Sequence, residues 1–277
     1  MAGQKAKFQI KKIEKQPTSV ISVLNSDAFQ NRMRQVLPEF LKPERIAGIA
    51  ITELRNNQKL LQCDALSLVG AIIRAGQLGL DIDSMKGHAY LVPYKNECQL
   101  IVGYKGMLTL ANRSGKLLSM EVQEVRENDE FEIEHGDNYG LRHKINPRRA
   151  ERGKIIGYYA YAHLSNGGKM FEYMDQEEIN EIKACSKSSN SYSSPWLTFP
   201  VEMAKKTVVR RLCKYLALSP DMDGAIGLDE MVDAGVQSEN LKKIGKTYAE
   251  ELEQNNSNVE FDFEKVTPLE DKQENVA

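Results

Sequence analysis

Several common protein classes are excluded by what this sequence lacks. No window approaches the roughly 18 consecutive apolar residues of a membrane span. The opening MAGQKAKFQIKKIEKQP has cations but no apolar stretch behind them, so it does not read as a secretory signal. Cysteine is scarce: Cys63, Cys98, Cys185 and Cys213 lie far apart with no CxxC pair. That pattern suits free thiols in a reducing compartment rather than a zinc site or a disulfide framework. No GxxxxGK[ST] loop is present, and GYKGM and NGGKM have neither its spacing nor its hydroxyl. Gly-x-Ser-x-Gly and His-Glu-x-x-His are missing as well, and His88, His135, His143 and His163 have no metal-ligand spacing around them. DMDGAIGLDE (221–230) puts its glycine fourth where a calcium loop needs it sixth. The expectation is a soluble, cytoplasmic protein with no metal and no cofactor.

Positive charge is present, and it is unevenly placed. Residues 228–277 carry 13 Asp/Glu against 5 Lys/Arg, a net of −8, which leaves +6 on residues 1–227 of a chain whose total is −2. A basic body with an acidic end is common among nucleic-acid proteins, although charge alone specifies no ligand. Three regions are expected: a flexible basic segment 1–26, a core 27–227, and a partly disordered acidic segment 228–277.

Within the core, apolar spacing from Asp27 to Gly79 predicts helices. Pro43 starts one of them, with Ile46, Ile49, Ala50 and Leu54 on one face. Asp64 caps the next, with Leu68, Val69, Ile72 and Ile73 inward. Two short strands, 89–94 and 98–102, flank a turn at Lys95-Asn96-Glu97. YKGMLTLANRSG reads as a short helix, and 117–126, 130–135, 154–164 and 169–174 read as strands, the last two joined by Asn166-Gly167-Gly168. Asp175 and Glu178 form a capping box for another helix. The class is α+β, a β-hairpin and antiparallel sheet packed on helices.

VEMAKKTVVRRLCKYLALSP (201–220) concentrates the charge, with five cations between residues 205 and 214 and Glu202 as its one acid. At 100° per residue Val201, Ala204, Val208, Leu212, Tyr215 and Leu216 form an apolar stripe. Lys206, Arg210 and Lys214 recur on the opposite side, with Lys205 and Arg211 flanking the stripe. Like charges four apart destabilise an isolated helix, by roughly 0.2–0.5 kcal/mol each. The counter-charge must therefore come from elsewhere, and phosphate is a natural source. A merely solvated basic face is the competing reading. Two neighbours favour the polyanion. The serine-rich loop before the helix carries Lys187, Tyr192, Trp196 and Phe199, and residues 86–116 interleave five cations with Tyr90, Tyr94 and Tyr104. Cations among aromatics suit a single-strand groove. The acids of ENDEFEIEHGD (127–137) leave a metal-dependent nuclease as a further reading, although alternating Phe131 and Ile133 point to a half-buried strand.

GLDIDSMKGHAYLVPY (79–94), VGYKGMLTLANRSG (102–115), EVRENDEFEIEHG (124–136) and PWLTFPVEMAKKTVVRRLCKYLALS (195–219) occur in this order. Together they resemble the RecT family of phage and prophage single-strand annealing recombinases. The resemblance implies ATP-independent binding of single-stranded DNA and annealing through a duplex intermediate. It also implies homo-oligomeric rings or helical filaments, with a phage exonuclease and a host single-strand binding protein as partners. Carried over, Lys205, Lys206, Arg210, Arg211 and Lys214 are the foremost phosphate contacts, followed by Lys105, Arg113 and Lys187. Trp196 and Tyr94 are the stacking candidates. The resemblance also suggests that the acidic end, with KKIGK at 242–246, recruits the host protein. Two competing functions are a protective coat that binds strands without pairing them and an RNA-binding regulator.

Overall fold

A computed structural model describes residues 19–185, 194–216 and 218–255, with side chains to residue 251. The fold is α+β. Helices α1 (Val20–Leu24), α2 (Asp27–Val36), α3 (Pro43–Asn56) and α4 (Ala65–Gln77) come first, and the hairpin β1 (Ala89–Tyr94) and β2 (Glu97–Val102) follows. Short α5 (Tyr104–Arg113) leads to β3 (Leu117–Arg126), β4 (Glu130–Glu134), β5 (Gly140–Lys144), β6 (Ile155–Leu164) and β7 (Lys169–Asp175). Helices α6 (Gln176–Cys185), α7 (Pro195–Thr198), α8 (Pro200–Tyr215), α9 (Pro220–Asp233) and α10 (Gln237–Asn255) complete it.

Local chemistry explains the elements. Pro43 occupies the first turn of α3, where its missing N–H costs nothing. Asp64 Oδ1 accepts from Ser67 N at 2.8 Å and starts α4, while Gly79 ends it at φ +64°, a conformation that favours glycine. The capping box forms as expected: Glu178 N donates to Asp175 Oδ1 at 2.8 Å, and Asp175 N to Glu178 Oε2 at 3.2 Å. The β1–β2 turn is one residue tighter than the sequence suggests, with Lys95 and Asn96 alone outside the strands and Lys95 at φ +56°.

Helix α4 is the centre of the fold, buried along nearly its whole length. One side of it meets β2. The outer edge of β2 is satisfied by side chains: Ser67 Oγ accepts from Cys98 N at 3.0 Å, and buried Gln237 accepts from Leu100 N at 3.0 Å while donating to Leu100 O at 2.8 Å. Another side meets α10 almost backbone to backbone. A Cβ on Gly70 would lie 2.0 Å from Leu241 O, and one on Gly245 2.2 Å from Leu66 O.

Two sheets form the remainder. β3, β6 and β7 make an antiparallel sheet in the order β3-β6-β7, and β4–β5 is a separate hairpin lying over it. Inward residues Tyr158, Ala160, Ala162 and Met174 are buried with the α8 stripe in one continuous core. β5, the strand missed in the sequence, is mostly polar (GLRHK), and its half-buried Leu141 and His143 stand too far apart in character to give an apolar alternation.

The C-terminal boundary differs from expectation. Residue 228 lies inside α9, and α10, for all its acids, packs along α4 with Leu241, Tyr248 and Ala249 buried. Much of that segment is thus built into the core, because its apolar residues recur at helical spacing among the charges. At the other end Val20, Val23 and Leu24 of α1 are buried, inside the segment expected to be flexible; residues 1–18 and 256–277 lie outside the described residues.

The α4–α10 crossing gives a direct test. Gly245→Val is expected to cost about 1–3 kcal/mol or more through overpacking, lowering the thermal midpoint by roughly 3–10 °C. Gly227→Ala on α9, where a Cβ meets nothing within 4 Å, should leave the midpoint unchanged or slightly raised. Equal midpoints for the two variants in a melting experiment would contradict the close crossing.

Candidate nucleic-acid interface

Helix α8 folds as its spacing requires, with Ala204, Val208, Leu212 and Leu216 buried, joined by Val209 and Cys213. Tyr215, expected in this stripe, is 61% exposed. The helix ends at that residue, and Leu216 turns inward in its place.

Other elements of the fold supply counter-charge to three of the five cations, and Glu202 of α8 itself lies 3.9 Å from Lys205. Arg210 grips Asp229 of α9 with two donors, its Nε at 2.9 Å, and Lys214 Nζ lies 3.3 Å from Asp229 and 3.1 Å from Asp233. Arg211 bridges Glu172 of β7 at 2.7 Å and Glu178 of α6 at 3.0 Å. Arg210, Arg211 and Lys214 therefore need no external polyanion to balance them. Spacing along one helix sees only that helix, whereas the partners come from three other elements.

Two further candidates are engaged in the fold. Arg113 donates to Leu78 O and Gly79 O, both at 2.9 Å, and lies 4.6 Å from the Phe40 ring centroid, so it caps the C-terminus of α4. Trp196 is 5% exposed and part of the core, which removes it as a surface platform. An indole at the start of a short helix, beside a core-facing stripe, is drawn inward by its large apolar area. Lys187 lies outside the described residues.

Tyr94, Lys105, Lys205 and Lys206 remain at the surface. β1 alternates, with Ala89 and Leu91 inward and Tyr90, Val92 and Tyr94 at 36%, 36% and 37% exposure outward. Lys95 Nζ lies 5.6 Å from the Tyr94 ring. Beside this row the Gly-Tyr-Lys-Gly stretch begins α5. A Cβ on Gly103 would lie 2.3 Å from Gly87 O, and one on Gly106 2.1 Å from His88 O. These glycines let α5 seat against the 87–88 loop, with Tyr90 close to Gly103, and so bring Tyr104 and exposed Lys105 beside the hairpin. Lys206 Nζ of α8 then lies 5.7 Å from the Tyr104 ring. The result is a tyrosine row flanked by Lys105 and Lys206, neither of which has a carboxylate within 4 Å among the described residues. Tyr90 and Tyr104 join Tyr94 in this row, and the strand alternation of AYLVPY was the signal for Tyr90.

On the other side of α8 a cleft of about 380 Å³ separates its first turn from β3 and the 145–152 loop. Arg149, Arg152 and Lys205 line it, together with Glu124 and Glu202. The basic run NPRRAERGK (146–154) was its signal in the sequence.

The acids of 127–137 serve the fold. The Asp129 side chain is fully buried and accepts from Arg152 Nη2 at 2.7 Å, His143 Nε2 at 3.1 Å and the backbone N–H groups of Arg126 and Asn146. The Arg152 guanidinium above all holds its carboxyl well below the ordinary range, against the opposing effect of burial. Among the described residues no group of three His, Cys, Asp or Glu side chains is placed to hold a metal ion.

The model of the RecT family matches residues 44–244, from the start of α3 to the middle of α10. The chain belongs to the RecT family. It is 41% identical over 221 residues to Protein RecT of Escherichia coli K12, covering 77% of this chain and 81% of that protein. Over 217 residues it is 29% identical to the uncharacterized protein YqaK of Bacillus subtilis 168, covering 77% and 73%. Membership of the RecT family makes it a recombination protein of the strand-annealing kind. The matched span includes the hairpin, α5 and α8, so every element of the tyrosine row and its flanking lysines lies within the RecT match. No helix among the described residues is long and apolar enough to cross a membrane.

Two outcomes follow for the charged groups. Arg210→Ala leaves buried Asp229 with Lys214 alone and is expected to cost roughly 1.5–3 kcal/mol in a denaturant titration, whereas a purely DNA-facing arginine would cost almost nothing. Because the Asp129 pKa is depressed in the folded chain, its contribution to stability is complete above the ordinary carboxylate value and is lost as pH falls below about 4. Asp129→Asn should therefore destabilise the protein at pH 7 and flatten the acid limb of the stability curve. A limb of unchanged steepness would contradict this.

Proposed function

We propose that the protein binds single-stranded DNA and promotes annealing of complementary strands without nucleotide hydrolysis, working as a homo-oligomeric ring or helical filament. The observation that carries this reading is the outward face of β1 with its flanking cations. Lys105 and Lys206 meet backbone phosphates, and Tyr90, Tyr94 and Tyr104 offer rings to bases without selecting among them. Selectivity then comes from base pairing between the strands, and binding energy takes the place of chemistry. Neutralising the backbone removes the repulsion between two strands, and an oligomer aligns many such faces into one track. RecT membership supports the reading, and the sequence has no phosphate-binding loop that would call for ATP.

Partners are proposed at the same level. A phage exonuclease would expose the strand, and a host single-strand binding protein would have to be displaced or recruited. KKIGK is a poor docking site for an acidic tail, since Lys242 pairs with Glu97, Lys246 lies 3.9 Å from Glu250, and Gly245 is pressed against α4. Truncation after Gly227 would remove α10 from the core, so it cannot isolate a recruitment role.

The test is pairing of two complementary labelled oligonucleotides at several salt concentrations, with and without ATP. Wild-type protein is expected to accelerate pairing regardless of ATP and to lose the effect as salt rises. Lys105→Glu combined with Lys206→Glu should slow pairing at least ten-fold and make the log–log salt slope shallower by about 1.4, at roughly 0.7 per lost phosphate contact on a single strand, with an unchanged thermal midpoint. Tight binding that slows pairing would mark a protective coat instead.

A further inference from the structure

Adjacent residues on a helix diverge by 100°, so Lys205 and Lys206 face different neighbours. Lys206 lies over Tyr104 on the hairpin side, whereas Lys205 lines the cleft against the 145–152 loop. Helix α8 is thus a ridge between two cationic surfaces of different chemistry. The hairpin side carries tyrosine rings. The cleft has no aromatic residue in its lining, and Ile145, Pro147 and Val201 are its apolar members.

Its charges differ in mobility. Arg152 is held by Asp129 and Glu124 and contributes a fixed field. Arg149 is exposed and has no carboxylate within 4 Å among the described residues. The nearest acid to Lys205 is Glu202 at 3.9 Å, itself 64% exposed on the rim. Two available cations and one competing carboxylate make a weak anion site.

We infer that this cleft takes the phosphodiester backbone of the second, incoming strand. The assignment rests on the annealing reading and deepens it. An incoming strand must stay mobile enough to sample registers, and an aromatic-free cleft holds it by its backbone alone, without the added grip of base stacking. It must also leave when it fails to match, and Glu202 competing for Lys205 keeps the hold weak enough. The first strand stays on the tyrosine side, gripped through both rings and phosphates, and the ridge of α8 sets the separation between the two backbones.

Arg149→Glu in the full chain tests this, since the residue is exposed on a short turn and supports no buried contact. Affinity for one labelled oligonucleotide, read by fluorescence anisotropy, is expected to change less than two-fold. The second-order rate constant for capture of the complement by the preloaded complex should fall at least five-fold, with a salt slope shallower by about 0.7. Glu202→Gln should raise the capture rate. An equal loss of first-strand affinity in Arg149→Glu would overturn the assignment and place the cleft on the first strand's track. So would unchanged capture, or inhibition of capture by millimolar inorganic phosphate in both wild type and Arg149→Glu alike. A wild-type protein that bound single strands without ever accelerating pairing would overturn the annealing reading itself, and the assignment with it.

Discussion

Asp229 is almost wholly withdrawn from water, and its charge is balanced by Arg210 and Lys214 from the neighbouring helix. A buried carboxylate tolerates few substitutes for its partners, because losing them leaves an uncompensated charge. The interaction therefore fixes α9 against α8. From α9 the chain passes to Gln237, whose amide completes the edge of β2 and accepts the Leu100 N–H, and then to α10 across α4. One ionic contact thereby ties the cationic helix to the hairpin and to the central helix. It also determines which cations are left over. With Arg210, Arg211 and Lys214 engaged, the surface charge of α8 is reduced to Lys205 and Lys206 at its N-terminal half.

That reduction gives the surface its shape. Lys206 stands where α8 passes α5, and α5 is held there by two glycines that admit the 87–88 loop to backbone distance, while Lys205, 3.9 Å from Glu202, faces the cleft on the other side of α8. A side chain at Gly103 or Gly106 would push α5 outward and take Tyr104 and Lys105 away from the hairpin. The platform is thus assembled from β1 and α5, which lie close in sequence, and from the remote α8, and none of them carries it alone.

Much of the fold was legible in local chemistry. Asp64, the Asp175/Glu178 capping box and the alternation of AYLVPY each placed an element within a residue or two of its observed bounds, because each depends on neighbours in the chain. The site was only partly legible. Lys206 and Arg210 look alike on a helical wheel, and what separates them is Asp229, nineteen residues beyond Arg210 and visible only after folding. Arg113 sits inside a family-like motif, yet its donors serve the carbonyls of Leu78 and Gly79, more than thirty residues earlier. The acidic composition of the last fifty residues suggested an appended segment, whereas Leu241, Gly245 and Tyr248 carry the pattern that matters to packing. Charge content reports solvation, and burial follows periodicity.

Single-stranded DNA is proposed to lie on the face made by β1, α5 and the N-terminal half of α8. Photocrosslinking of a strand containing 5-iodouracil, followed by mass spectrometric mapping, tests it most directly. Adducts are expected at Tyr90, Tyr94 or Tyr104, lost together as salt displaces the strand. Adducts confined to other segments, with residues 86–116 unlabelled at saturating protein, would contradict it.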